Sequence, residues 1–357
     1  MPSGIQPLVT EVFDRLGLVA ALRRTAARFG GAILRLNRVL PRDERSLCFD
    51  PSLVVSETTF VSLLELLTAE YEVVPLDDLL ARPGGADKRP RVALTFDDGW
   101  EDTYRIVFPH LLTGRIPATM SVCSSLIDSG QALPEERFSR LWNQATARGG
   151  LDDLIVDLSH WGLGRSATVA NRPQKRYWTQ ELKEMPLTGR LLLLEYLERQ
   201  YEVARVPTRR FVTWRELNVM VQTGLIQVGT HTAGHATLTS ESDRDIRQEL
   251  EDSRHSIWSH TGLRVDAVSY PNGAFDRRVM DVVRSTGLRY GMTGIPGWVT
   301  RRTPPLAVPR ITVRSAVESM AAARGEMEFA SGRTAVYFLS SWVSAGTTGA
   351  ERSSPRA

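Results

Sequence analysis

The sequence contains very little cysteine, since Cys48 and Cys123 are the only two in 357 residues. They lie far apart and form no Cys-x-x-Cys pair. The chain therefore has neither the ligand spacing of a thiolate zinc site nor the cysteine content of a disulfide framework. We expect both thiols to be reduced and buried, which is the usual situation of free cysteine.

The chain also lacks a strong charge imbalance and a long apolar run. Lys and Arg number 44 against 41 Asp and Glu, and a net charge of +3 is too small to indicate a nucleic acid partner. No run approaches 18 uninterrupted apolar residues, and arginines interrupt the first apolar stretch, LGLVAALRRTAARFGGAIL, which is unlike a signal peptide. These features predict a cytoplasmic protein, and no motif implies a partner protein.

The two ends of the chain differ from its centre. Residues 1–30 are predicted to form a helical segment with a basic side, which either packs on its own domain or makes peripheral contact with a membrane. Residues 344–357 are small and polar, and we predict a disordered tail there. The central region between these two ends, residues 31–343, is predicted to form the main domain.

Strand and helix signals alternate along this central region. The stretches RVALTF, ATMSVC, LIQVGTH and DAVSYPNG are typical of strands, and Asp243–Thr261 is typical of a helix. This alternation predicts a parallel sheet with crossover helices, as in an α/β barrel or a doubly wound fold. It stops over residues 131–210, which we interpret as a helical insertion that covers one face.

The stretch TFDDGW places two carboxylates where a buried strand ends. Gly99 allows a sharp turn directly after Asp97 and Asp98. An aspartate there could cap a helix, but a cap needs only one. Adjacent carboxylates repel each other unless a cation or a proton lies between them, so the pair indicates a metal site.

The stretch GTHTAGHATL supplies two further ligand candidates. His231 and His235 are four residues apart, a spacing that would put both on one face of a helical turn, and the chain has only six histidines. Two imidazoles and one carboxylate suit Zn²⁺, with Co²⁺, Ni²⁺ or Fe²⁺ as alternatives. The second carboxylate would then be free to act as a base.

A third stretch, SYPNGAFD, leads a strand into a rigid turn. Such a turn aims backbone N–H groups at one point and is suited to an oxyanion site, although an ordinary strand-ending turn would have the same pattern.

Together these stretches resemble the polysaccharide deacetylases of carbohydrate esterase family 4 and their chitooligosaccharide-deacetylase-like homology domain. The resemblance also includes GAILRLNRV, FVTWRELNVMVQTG and VPRITV, in the order of the family, from about Gly31 to Val313. It implies an α/β fold, a distorted (β/α)7 barrel. It also implies removal of acetyl groups, most often N-acetyl groups, from a glycan or a glycan precursor.

The resemblance also implies roles for individual residues. Asp97 would be the general base that takes a proton from a metal-bound water. Asp98, His231 and His235 would hold the metal. A backbone N–H near Tyr270 would support the oxyanion.

Other parts of the site are predicted less directly. Pro271 and Asn272 are predicted to contact the substrate, and Trp142 in the insertion is predicted to stack on the sugar. Arg310 in VPRITV resembles a late-strand arginine that would orient Asp97, with a surface ion pair as the alternative.

The chain departs from the family at its general acid. The family has a histidine on the first strand or in a late motif, whereas the first strand here has Asn37. An asparagine amide cannot donate a proton at useful pH. Two alternatives to an N-deacetylase therefore remain: a weakly active or non-catalytic relative that binds acetylated sugar, and an O-acetyl esterase.

Overall fold

A curled sheet of parallel strands forms the centre of the fold. The strands of this sheet are, in chain order, β1 (Gly30–Leu36), β4 (Glu72–Val73), β5 (Arg91–Phe96), β6 (Ala118–Val122), β7 (Ile226–Thr230), β8 (Ala267–Ser269), β9 (Tyr290–Met292), β10 (Val299–Thr300) and β11 (Ile311–Thr312). Two further strands, β2 (Arg38–Leu40) and β3 (Val54–Ser56), pair with each other in a separate parallel sheet. Parallel neighbours follow one another in the order β1-β5-β6-β7-β8-β9.

The sheet curls round so that its last strands return to its first. β11 lies parallel to β1, and a parallel bridge between Met292 and Val308 joins β9 to the chain that leads into β11. The short strand β10 is antiparallel to the start of β1. This arrangement is a distorted α/β barrel, and it confirms the predicted fold class.

Helices surround the sheet. They are, in chain order, α1 (Glu57–Glu70), α2 (Leu76–Ala81), α3 (Phe108–Gly114), α4 (Pro134–Ala147), α5 (Leu151–His160), α6 (Lys175–Lys183), α7 (Leu187–Gln200), α8 (Trp214–Gln222), α9 (Asp243–Thr261) and α10 (Arg277–Ser285). A π-helical segment, Thr103–Val107, leads into α3. Short 3-10 turns occupy Pro51–Leu53, Leu238–Ser240 and Pro271–Gly273.

Helix α9 shows how local sequence determines these boundaries. The Ser242 side chain accepts a hydrogen bond from the backbone N–H of Asp245, which caps the first turn. The helix ends where Gly262 adopts the left-handed conformation, with φ of +72°. The predicted bounds of this helix agree with those observed.

The side chains of the central strands alternate between two hydrophobic clusters. On β1 and β5, Leu34 and Leu94 pack in the larger cluster with the surrounding helices. Their neighbours Ile33 and Ala93 belong to a second cluster, which also contains Met292 from β9. Successive side chains of a strand point to opposite faces of the sheet. Every second residue after Ala93 therefore lies on the same face of the sheet as Ala93.

Helices α4 to α7 pack around a core of their own. This core includes Phe138, Leu141, Trp178, Leu182 and Leu193, all of which are buried. The four helices lie in the chain between β6 and β7 and fall within the predicted insertion. The exact domain boundaries stay a prediction.

The computed structural model describes residues 30–313, apart from residues 43, 45–47, 85–88, 167, 169–173 and 204–209. The predicted N-terminal helical segment, the predicted disordered tail and the predicted barrel residues after 313 lie outside the described residues. Across the described ranges, none of the helices combines the length and the apolar character that a membrane crossing requires.

Candidate active site

Asp97 and Asp98 lie directly after the carboxyl end of β5. The backbone N–H of Asp97 donates to the carbonyl of Leu36 at 3.0 Å and so extends the sheet by one residue. Asp98 and Gly99 then adopt left-handed conformations, with φ of +74° and +89°. This sharp turn lets the two adjacent carboxylates reach different partners.

The Asp98 carboxylate faces both histidines of the second motif. Its Oδ1 atom lies 3.2 Å from Nε2 of His231 and 3.5 Å from Nε2 of His235, and all three residues are buried. Its Oδ2 atom instead accepts hydrogen bonds from Trp100 Nε1 at 2.8 Å and from Asn37 Nδ2 at 3.0 Å. The ligand candidates lie within 4.8 Å of one another, so they can hold one ion.

The electrostatics of this group favour a positive charge between its members. Burial alone would lower the pKa of His231, but the hydrogen-bonding contact with Asp98 raises it. Burial alone would raise the pKa of Asp98, whereas the contacts with the two histidines hold it well below its usual value. Two imidazole nitrogens and one carboxylate oxygen therefore fit a divalent cation.

The second motif folds as an irregular loop, so the predicted helical turn is wrong. Residues 231–237 contain no helix. Thr232 and His235 instead adopt left-handed conformations, with φ of +65° and +63°. The Thr232 hydroxyl accepts a hydrogen bond from the backbone N–H of Ala236 at 3.0 Å, which closes the loop and returns His235 towards His231.

Asp97 forms a buried, two-pronged ion pair with Arg310. Arg310 Nη1 and Nη2 each donate to one oxygen of the Asp97 carboxylate at 2.9 Å. Arg310 Nε also donates to the carbonyl of Thr293 at 3.0 Å, and Nη2 donates to the Ser269 hydroxyl at 2.7 Å. Its guanidinium is fully buried, which is inconsistent with the alternative of a surface ion pair.

The Asp97 carboxylate is kept ionised by its surroundings. Burial alone would raise the pKa of Asp97, but the charge of Arg310 lowers it, with help from His231 and Arg35. Arg35 Nε lies 3.8 Å from Asp97 Oδ2. An ionised carboxylate in this place can accept a proton, as a general base must.

The backbone N–H of Tyr270 itself is not available for the predicted oxyanion contact, and a donor near Tyr270 stays a prediction. The Tyr270 N–H donates to the carbonyl of Met292 at 3.0 Å as part of the sheet, so it cannot also stabilise an oxyanion. The Tyr270 hydroxyl donates to the carbonyl of Leu306 at 2.9 Å, and its ring stacks on Phe275. The side chain of Tyr270 therefore anchors the third motif to neighbouring residues.

The residues after Tyr270 form the predicted turn. Pro271 is buried and begins the turn, and it is not among the residues that line the cavity at the site. Asn272 does line the cavity, and it adopts a left-handed conformation with φ of +59°. Its Nδ2 atom donates to the Thr237 hydroxyl at 2.9 Å, which ties the third motif to the second.

Trp142 lies in the interior of the insertion and not at the cavity. Its side chain is buried in the core of the insertion, where its ring lies 5.8 Å from that of Phe138. It does not line the cavity. The prediction that Trp142 stacks on a sugar is wrong, because the amphipathic helix α4 turns this ring inward.

A cavity of about 910 Å³ opens above the carboxylates and histidines, between the barrel and the insertion. Asp97, Asp98, His231 and His235 all line it. The insertion contributes further lining residues from α4, α6 and their flanks: Leu133, Glu135, Ser139, Lys175, Arg176, Thr179, Gln180, Lys183 and Glu184. The insertion therefore forms one wall of the cavity.

Three residues near the site were not predicted from the sequence. Arg35 stands in an otherwise apolar strand, and Trp100 directly follows the aspartates, so both had a local signal. Glu135 had none, because its partner His235 is distant in sequence. Burial would raise the pKa of Glu135, but the charges of His235, Lys183 and Arg190 lower it to about 2.

The sequence matches a model of the polysaccharide deacetylase family over residues 84–152 and 172–291, more than half of the chain. The chain therefore belongs to this family. One relative is YxkH of Bacillus subtilis (strain 168), whose name describes it as a polysaccharide deacetylase. It is 25% identical over 105 residues, which make up 29% of this chain and 37% of YxkH.

Solved structures share the fold. The Streptococcus pyogenes deacetylase PplD, solved in complex with acetate, aligns with a TM-score of 0.53 at 16% identity, over 80% of this chain and 93% of PplD. A de-N-acetylase from Aggregatibacter actinomycetemcomitans aligns with a TM-score of 0.53 at 16% identity, over 83% of this chain and 98% of that chain.

Proposed function

We propose that this protein is a metal-dependent hydrolase that removes acetyl groups from a carbohydrate, with N-acetyl groups as the first candidate. One observation carries the proposal: an ionised, arginine-held carboxylate, Asp97, lies beside a buried set of one carboxylate and two imidazoles in the same cavity. A base next to a ligand set is what hydrolysis by an activated water requires.

Asp98, His231 and His235 would hold the metal, and Zn²⁺ suits this donor set best. A divalent ion held there would supply Lewis-acid chemistry, which acidifies water and polarises a carbonyl group. The Ser269 carbonyl, 2.7 Å from Nδ1 of His231, keeps a proton on that nitrogen and leaves Nε2 free to bind.

Asp97 then accepts the proton that the attacking water loses. Arg310 holds both oxygens of this carboxylate, which orients it and keeps it ionised at neutral pH. When the C–N bond breaks, the amine nitrogen must gain a proton, and protonated Asp97 can return the one it took. The products are acetate and a free amine.

The cavity and the comparisons together support an acetylated sugar as the substrate. The lining is rich in groups that bind hydroxyls, among them Thr237, Thr239 and Asn272 on the barrel side. Two proteins of the same fold are described as a deacetylase bound to acetate and as a de-N-acetylase. Both descriptions agree with acetyl hydrolysis as the reaction.

A second candidate function, O-acetyl ester hydrolysis, is favoured by one observation. Asn37 lies at the site and donates its amide N–H to Asp98, so it cannot supply a proton to a leaving group. In the described part of the chain, no histidine other than His231 and His235 lines the cavity. An alkoxide leaves more readily than an amide anion, so an ester tolerates a missing acid better.

Acetate release from paired substrates tests both candidates. The purified protein, its metal content measured, is incubated with sugars that carry the same acetyl group on nitrogen or on oxygen. We expect release from the N-acetyl sugar in the wild type and not in Asp97→Asn. Release from the O-acetyl member alone would establish the esterase instead, and release from neither, with metal bound, would refute both.

A further inference from the structure

We propose that Glu135 of the insertion is a positioning residue for the ligand candidate His235, whose Nδ1–H its carboxylate accepts. This inference rests on the proposed function, because it concerns the metal site of that function. It assigns the insertion a part in the metal site itself, in addition to its place as a wall of the cavity.

Two buried polar groups, one from the insertion and one from the second motif, face each other. Glu135 Oε2 lies 3.6 Å from Nδ1 of His235, and both side chains are almost fully buried. Neither carboxylate oxygen of Glu135 has a hydrogen-bond partner among the described residues, and neither does Nδ1 of His235. Unpaired buried polar atoms are costly, so a small adjustment that closes this gap satisfies both residues.

Glu135 is held in place from within the insertion. Its other oxygen, Oε1, lies 3.6 Å from Nη1 of Arg190, which is fully buried on α7. Arg190 Nη2 donates to the carbonyls of Lys183 and Met185 and to the Thr237 hydroxyl, at 3.0, 3.0 and 3.2 Å. Arg190 therefore connects the insertion both to Glu135 and to the loop that carries His235.

The two histidines consequently have different supports. His231 has the Ser269 carbonyl of the barrel at its Nδ1, whereas Nδ1 of His235 faces Glu135 of the insertion. A carboxylate that accepts Nδ1–H fixes the tautomer and the ring orientation, and it makes Nε2 a stronger ligand. The insertion thereby completes a ligand set that the barrel alone leaves half supported.

The test measures metal affinity by competition with a chelator, using Zn²⁺ and the full-length protein. We expect Glu135→Gln to weaken Zn²⁺ binding by about 10- to 100-fold, the usual effect of losing such a partner. Glu135→Asp keeps the charge and should recover part of the affinity. Unfolding of the metal-free proteins is followed in parallel, so that loss of fold is not mistaken for loss of the ligand.

Glu136→Gln is the matched control. Glu136 is the next residue on α4 and is also buried, but its carboxylate faces Arg210 at 3.6 Å rather than a ligand candidate. We expect its Zn²⁺ affinity to equal that of the wild type. Unchanged affinity in Glu135→Gln, or an equal loss in Glu136→Gln, would overturn the proposal.

The affinity measurement also separates this inference from the proposed function. If the wild type binds Zn²⁺ and Glu135→Gln binds it weakly while no substrate releases acetate, the proposed reaction fails and the positioning role stands. If acetate is released normally and Glu135→Gln keeps full affinity, the positioning role fails and the reaction stands.

Discussion

The side-chain amide of Asn37 donates a hydrogen bond to Oδ2 of Asp98 at 3.0 Å. A group that cannot supply a proton therefore lines the cavity beside Asp98. The remaining histidines lie elsewhere: His110 pairs with Glu57 at 3.0 Å, and the other three are exposed. The described residues thus offer no histidine acid for a leaving amine.

We therefore expect Asn37→His to accelerate N-deacetylation. An imidazolium in this position can protonate the leaving nitrogen, and kcat on an N-acetyl sugar should rise by about tenfold, at the low end of acid catalysis. The same change should have little effect on an O-acetyl sugar. Asn37→Gln, which keeps an amide, is the control, and equal kcat in all three proteins would show that the acid lies elsewhere.

Arg310→Met should move the pH dependence of the reaction. Burial would raise the pKa of Asp97 and Arg310 lowers it, so removal of the guanidinium lets that pKa rise. Asp97 then becomes protonated at higher pH, and the acidic limb of the kcat/KM profile should shift upward. Arg310→Lys keeps the charge without the paired geometry and should shift the limb less. If the acidic limb of the kcat/KM profile stays in place in Arg310→Met, this arginine does not control the pKa of Asp97.

Asp97→Asn should retain the metal but lose turnover. The amide has nearly the same shape but cannot accept the proton of the attacking water, and loss of a general base costs about 10²- to 10⁴-fold in kcat. Acetate release and metal content are measured on the same sample. Turnover near that of the wild type would mean that another group takes the proton.

Removal of a ligand candidate should remove the metal. We expect about one divalent ion per wild-type chain and almost none in Asp98→Ala, His231→Ala or His235→Ala, because each supplies one of three converging ligand atoms. His255→Ala serves as the control, since His255 is exposed on α9. Elemental analysis after dialysis decides the matter, and full metal content in His235→Ala would contradict the assignment.

Trp142→Ala should affect stability far more than substrate binding. The buried ring packs against Phe138 inside the insertion, and such a truncation costs about 3–5 kcal/mol of unfolding free energy. Trp142→Phe should retain most of that stability, and its KM should stay near that of the wild type. A large rise in KM without loss of stability would instead support a contact between Trp142 and the sugar.

The sequence predicted the parts of the fold and site that depend on local pattern. The strand RVALTF appears as β5 with the predicted bounds, and the helix Asp243–Thr261 is also observed as predicted. The aspartate pair after β5 has a local signal of the same kind, a run of buried residues that ends in charge.

What could not be predicted depends on contacts between distant segments. The spacing of His231 and His235 indicated a helical turn, but a tertiary loop with left-handed residues brings the rings together instead. Likewise, the sequence suggested that Trp142 stacks on a sugar, but the helices of the insertion pack around this ring and bury it. Glu135 faces His235 across 100 residues of sequence, so no local pattern could reveal the pair.

Ser269 connects two functional groups of the site. Its carbonyl contacts Nδ1 of His231, while its hydroxyl accepts from Arg310, which in turn holds Asp97. One residue at the end of β8 is thus a common anchor for the ligand candidate His231 and, through Arg310, for the proposed base Asp97. A displacement of that strand would therefore move both groups together.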